Sequence, residues 1–237
     1  MTTRHGVLQA LDAVIDPELD EPITTLRFVT SVEVSADGDV EVMLRLPTPQ
    51  CAPNFAFLMA ADAREVVRRL PGVRGVTIVL EDHYTGAEIN GAIARGEGFT
   101  GAFPGETEDD DLQSLRELFQ RKALIVRQSR LCEALLGGST DPADEARIVG
   151  LRVADIDDGP ELRRCLELRS QLGIGSDPTA PAFVLPGGEP LQAGEVRRWL
   201  RMARLVRTGL ETNGGICRSL LQFRHDLAAD PQEEVAR

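Results

Sequence analysis

No apolar run in this 237-residue chain reaches the roughly 18 residues that would suggest a membrane span. Met1 to His5 leads into an amphipathic helix without the apolar core of a signal peptide. Both absences point to a cytoplasmic protein without a membrane partner. Basic residues are in deficit: 26 Lys and Arg stand against 38 Asp and Glu, a net charge of -12, so nucleic acid would meet a repulsive average field. No nucleic-acid partner is expected. Only four cysteines occur, Cys51, Cys132, Cys165 and Cys217, too far apart for zinc-finger spacing, and a reducing cytosol argues against structural disulfides. Any metal site must be assembled by the fold or shared across a homodimer. There is no internal repeat.

What is present is a clear alternation of patterns. Val7, Leu8, Leu11, Val14 and Ile15 recur at helical spacing until Asp16-Pro17 interrupts, because the residue before proline is pushed out of the helical region. Phe28, Thr30, Val32 and Val34 alternate, Ala36-Asp37-Gly38-Asp39 turns, and Val40, Val42, Leu44 and Leu46 alternate again, which is a β-hairpin. A helix follows through Phe55, Leu58, Met59, Asp62, Val66 and Leu70 to Pro71-Gly72, then a strand from Val73 to Glu81. Thr85 to Glu88 has capping-box spacing and should open a short helix to Ala94. The expected architecture is α+β: an α-β-β-α-β small-sheet domain over residues 1–95, a glycine-rich acidic linker at 96–111, and a mainly helical part over 112–237.

In that part the spacing predicts a helix from Leu112 to Leu136, a short strand from Ile148 to Ile156, and a helix from Pro160 to Leu172. A small hairpin about Gly187-Gly188 and a helix from Gly194 to Leu210 should follow. Asn213-Gly214-Gly215 should cap that helix and start a last one whose apolar face is Ile216, Leu220, Phe223 and Leu227. Ala229 to Arg237 reads as a solvated tail.

Chain topology then gathers chemistry at one rim. The two hairpin strands run antiparallel, so Asp16-Pro17-Glu18 leads to the same sheet edge that Cys51 leaves. If the third strand joins parallel through a right-handed crossover, His83 arrives there too, with Asp82 and Glu88 close behind. A thiolate, an imidazole and carboxylates suit iron or zinc, with Cys51, His83 and Glu88 as metal ligands, and an incomplete ligand set permits release. The same atoms permit cysteine nucleophile chemistry with His83 as base, although no oxyanion loop accompanies them.

Plainer readings stand beside these. Cys51 could pack as a small apolar group, His83 could bond a strand end, and Asp16 and Glu18 could bond local backbone. Glu88 and Asn90 could serve only helix capping and solvation. Cys132 and Cys165 fall on apolar helical faces and read as core. Cys217, placed in the first turn of a last helix near Arg218, reads as a second ligand or a reactive thiol. The arginine-rich helix Glu195 to Arg207 reads as a solvated face or a dock for an acidic client, with Trp199 as its core anchor.

Asp16-Pro17-Glu18, the hairpin, Pro47 to Cys51 with Thr48, and Leu70-Pro71-Gly72-Val73 before a strand together resemble the small iron-sulfur cluster assembly domain shared by SufT and PaaD proteins, over residues 5 to 82. The resemblance implies help in maturing iron-sulfur or other iron proteins, with Cys51 as the functional cysteine and Thr48, Asp16 and Glu18 beside it. The usual family form has glycine where Arg27 stands, and a proline directly after the cysteine where this chain has Ala52-Pro53. Cys51 to Phe55, Glu81 to Asn90, and Thr212 to Arg218 also resemble a subgroup that accompanies actinobacterial di-iron alkane monooxygenases. That resemblance implies a non-enzymatic helper, with transient iron or an iron-sulfur cluster, acting on a client metalloenzyme such as a di-iron hydroxylase. The competing expectations are a metal-independent adaptor or folding chaperone, and a cysteine-dependent redox or hydrolytic enzyme.

Overall fold

The structure, a computed structural model, describes residues 2–229, with side chains as far as Arg224. The expected tail after Ala229 lies outside the described residues. The fold is α+β, with small sheets and helices first and a helical region after them. The chain divides into two compact units, Met1–Ser114 with Thr212–Arg237, and Leu115–Glu211.

In the first unit, α1 (Arg4–Leu11) is capped by Thr3, whose hydroxyl accepts from the Gly6 amide at 3.1 Å. It stops before the expected end, because Ile15–Asp16 (β1) pairs antiparallel with Glu21–Pro22 (β2). The hairpin is as expected: β3 (Val29–Val34) and β4 (Asp39–Arg45) pair with Val32 opposite Val42, and Gly38 turns at φ +93°. A side chain at Gly38 would meet the Gly72 carbonyl oxygen at 2.4 Å, so the turn needs glycine.

Next comes α2 (Pro53–Arg68), with proline at its start where the missing N–H costs nothing, followed by β5 (Gly75–Glu81). β5 lies parallel to β4, Leu44 beside Leu80 and Arg45 beside Glu81. Inward residues Val40, Val42 and Leu44 of β4 and Phe57, Ala60 and Ala63 of α2 are buried, each large apolar side chain contributing about 1.5–3 kcal/mol. The buried stripe of α2 ends on Ala63 and Val67, while Val66 and Leu70 are only partly buried. α3 (Gly86–Arg95) closes on Gly96 at φ +71°. Residues 96–111 are more than a linker: α4 (Phe99–Ala102) buries Phe99 against Phe57, ring centroids 5.5 Å apart, and the Phe99 amide donates to Asp110.

The second unit holds most of α5 (Gln113–Leu136), α6 (Pro142–Gly150), α7 (Pro160–Gln171) and the first part of α8 (Val196–Ala229). The strand expected over Ile148 to Ile156 is instead the end of α6 and a short 3-10 turn, because Asp141-Pro142 starts a helix with a side-chain cap. Val184 bridges Pro190 in the expected small hairpin. Cys132, Ile148, Phe183, Leu191 and Trp199 form the core, with Cys165 in a neighbouring cluster. The break expected at Asn213-Gly214-Gly215 is absent, and α8 runs straight through it. From Thr212 the helix groups with the first unit.

Candidate functional site

The turn between β1 and β2 is built on one carboxylate. Asp16 Oδ1 accepts from the amides of Glu18 and Leu19, both at 2.9 Å, and Asp20 stands at φ +51° to bring the chain back. Asp16 is 7% exposed. Burial pushes its carboxyl up to about 6 against the pull of those two amides, and the charges of Glu18 and Glu21 add to the rise.

Parallel pairing of β4 and β5 delivers the Cys51 loop and the His83 loop to the same end of the sheet. The Thr48 hydroxyl lies 3.6 Å from Cys51 Sγ, in hydrogen-bonding range for sulfur. His83 Nε2 is 2.7 Å from the Cys51 carbonyl oxygen, and Tyr84 N–H donates to Pro49 at 3.0 Å. A carbonyl only accepts, so Nε2 carries the hydrogen and Nδ1 is left to accept from Thr85, whose amide lies at 3.3 Å and hydroxyl at 3.1 Å. The expected metal ligand therefore has both ring nitrogens engaged and braces the cysteine loop through its backbone. Asp82, at φ +48° between strand and histidine, pairs with Arg224.

Glu88 sits exposed in the first turn of α3, and Thr85 makes no side-chain cap there because its hydroxyl faces His83. The capping box is thus not formed. Asn90 clamps β5, accepting from the Leu80 amide at 2.8 Å and donating to its carbonyl at 3.1 Å.

The last part of α8 lies along this rim. Asn213 donates to Glu18 at 3.0 Å, Arg218 pairs with Glu21 at 2.8 Å, and Arg224 donates to the Leu46 carbonyl at 2.5 Å as well as to Asp82. Residues 213, 217, 221 and 224 share one helical face, on which Leu221 is buried. Ile216, Leu220 and Phe223, expected as the apolar packing face, are instead exposed; the Leu227 side chain lies outside the described residues.

Cys217 is therefore a mid-helix residue on the inward face, without a helix N-terminus to favour thiolate. Burial first, and then the charges of Asp16, Cys51 and Glu18, push its thiol up to about 11, with Arg218 pulling weakly the other way. Those charges place Cys51, Asp16 and Glu18 within electrostatic range of Cys217. Among the described residues no three His, Cys, Asp or Glu side chains are arranged to hold a metal ion. Cys132 and Cys165 are core residues, and burial pushes the Cys132 thiol up to about 12. Nothing local in the sequence marks Arg224, because its partner Asp82 is 142 residues away.

Residues 4–78 match the family model described as iron-sulfur cluster assembly protein. An uncharacterized protein of Methanocaldococcus jannaschii is 36% identical over 90 residues, 38% of this chain and 93% of that one. A Fe-S protein maturation auxiliary factor of Porphyromonas gingivalis is 35% identical over 80 residues, 34% of this chain and 74% of the other. A chloroplastic Fe-S cluster assembly factor of Arabidopsis thaliana is 35% identical over 80 residues, 33% of this chain and 15% of that protein. The family match ends before His83 and Cys217.

Proposed function

Because the chain belongs, through residues 4–78, to the iron-sulfur cluster assembly protein family, we propose that it is a maturation factor rather than an enzyme, carrying iron or an iron-sulfur cluster as transient cargo to a client metalloenzyme. The observation that carries this reading is the family match over residues 4–78, which includes Cys51 at the end of the sheet, with Cys217 in electrostatic range of Cys51, Asp16 and Glu18. Thiolates are the ligands that select iron-sulfur clusters, and each thiol gives up its proton when metal replaces it. Two sulfurs with nearby carboxylates form an incomplete set, which a donor or client completes; that incompleteness is what release requires. Thr48 orients the Cys51 sulfur and His83 holds its loop. The client proposed is a di-iron monooxygenase hydroxylase, a reading supported by the sequence pattern of Cys51 to Phe55, Glu81 to Asn90 and Thr212 to Arg218.

The test is anaerobic reconstitution of the full chain with iron and sulfide, followed by iron and sulfide analysis and transfer to an apo-ferredoxin. Cys51→Ala should lose both retention and transfer, and Cys217→Ser should retain less. Equal content and transfer in wild type and Cys51→Ala would sink the reading. A second reading, a metal-independent adaptor for the same client, draws support from His83, whose ring nitrogens are both engaged. It requires client activation to survive Cys51→Ala.

A further inference from the structure

Within Leu115–Glu211, the first half of α8 lines a cavity of about 550 Å³ with Arg197, Arg201, Arg204 and Arg207, over a floor of Leu136 and Leu200. Two carboxylates of the lining answer these four cations, and Glu211, outside it, stands 4.0 Å from Arg207. Glu145 pairs with Arg197 at 2.5 Å, and Glu133 takes both Arg204 at 2.8 Å and Arg207 at 2.9 Å. Four positive charges less two negative leave +2 in the cavity, inside a chain of net charge -12. Arg201 makes no hydrogen bond or ion pair with any described residue.

A concentration of guanidinium groups over apolar side chains, in an otherwise acidic molecule, is complementary to carboxylates carried on a partly apolar body. Arg197, Arg201 and Arg204 recur at i, i+4 and i+7, so their Cα atoms span about 10 Å along the helix. Alternate side chains of an extended peptide repeat about every 7 Å, which lets two acidic residues engage this row while an apolar neighbour rests on Leu136 and Leu200. We propose that this cavity is a binding site for an acidic, leucine-containing peptide segment of a partner protein. Nucleic acid fits less well, since it would bring a dense line of phosphates against the negative average field. The proposal is independent of the cysteine rim.

The experiment titrates the full-length protein into a dye-labelled peptide of alternating glutamate and leucine, read by fluorescence anisotropy. Binding should weaken about ten-fold in Arg201→Glu and several-fold in Arg204→Gln, which leaves Glu133 its bond to Arg207, while circular dichroism shows both variants folded. A peptide with glutamine for glutamate should bind at least ten-fold more weakly, and Cys51→Ala should bind the acidic peptide like wild type. Equal affinity for the glutamine peptide would overturn the proposal, as would an unchanged Kd in a folded Arg201→Glu. So would displacement of the peptide by glutarate at matched carboxylate concentration, which would make this a small-molecule site, or tighter binding of a single-stranded oligonucleotide.

Discussion

His83 Nε2 lies 2.7 Å from the carbonyl oxygen of Cys51, a residue 32 positions earlier, so the imidazole holds the cysteine loop by its backbone and leaves the sulfur to Thr48. His83→Ala removes that donor and should cost about 1 kcal/mol of stability. It should also speed alkylation of Cys51 several-fold. Unchanged alkylation together with complete loss of bound iron would instead mark His83 as a ligand; thiol trapping and iron analysis on the same samples decide.

The Asp16 carboxyl has a defined pH signature. Its folded pKa of about 6 lies above the ordinary value of 3.8, so the folded state binds more protons between those values and its stability falls as pH rises from about 4 to 6. The loss is on the order of 2–3 kcal/mol, complete above pH 6. Asp16→Asn keeps an oxygen for the Glu18 and Leu19 amides and should remove this slope, measured by urea unfolding of the iron-free protein from pH 4 to 7.5. A slope equal to that of wild type would refute the assignment.

Cys217 should be a slow thiol. With its pKa pushed up to about 11, it is only about 0.1% thiolate at pH 8, and alkylation should run on the order of a hundred-fold slower than that of free cysteine. Mass spectrometry of timed iodoacetamide quenches checks this.

Arg224 fastens α8 to Leu46 and Asp82 near the surface. Arg224→Ala should therefore cost less than about 1 kcal/mol, the usual limit for such pairs. Hydrogen exchange over residues 212–229 should nevertheless rise, and Cys217 should alkylate faster as the helix end loosens. Unaltered exchange there would show that Leu221 packing and the pairs of Asn213 and Arg218 hold the helix without Arg224.

Arg27 stands at φ +61°, where an L-residue pays about 1–2 kcal/mol. Arg27→Gly should stabilise the protein by about 0.5–1 kcal/mol after the extra entropy of glycine in the unfolded chain is subtracted. A lower melting temperature would contradict the strain.

Much of this was legible in the residues. The alternation of Phe28 to Leu46 reports a hairpin, because side chains of a strand point to opposite faces with a period of two. The helical spacing after Pro53 points to a crossover into a parallel third strand, and the parallel direction brings Cys51 and His83 to one end of the sheet. Local signals failed where tertiary packing outweighed them. Asn213-Gly214-Gly215 reads as a stop, yet Gly214 is buried and Asn213 spends its amide on Glu18, which offsets the poor helix propensity. Thr85 and Glu88 have capping-box spacing, yet the Thr85 hydroxyl turns to His83.

By itself, the sequence determined the order α1, β3, β4, α2, β5, α3 in the first unit and the identity of the loop residues between them, because hydrophobic period and turn chemistry act over a few neighbouring positions. Only the tertiary structure decided that Cys217 and Arg224 reach the rim formed by Asp16, Cys51 and His83. Contacts between positions as far apart as 18 and 213 depend on which face of α8 is buried, and that face was set by Leu221 and the pairs at Glu18, Glu21 and Asp82 rather than by the more apolar stripe of Ile216, Leu220 and Phe223.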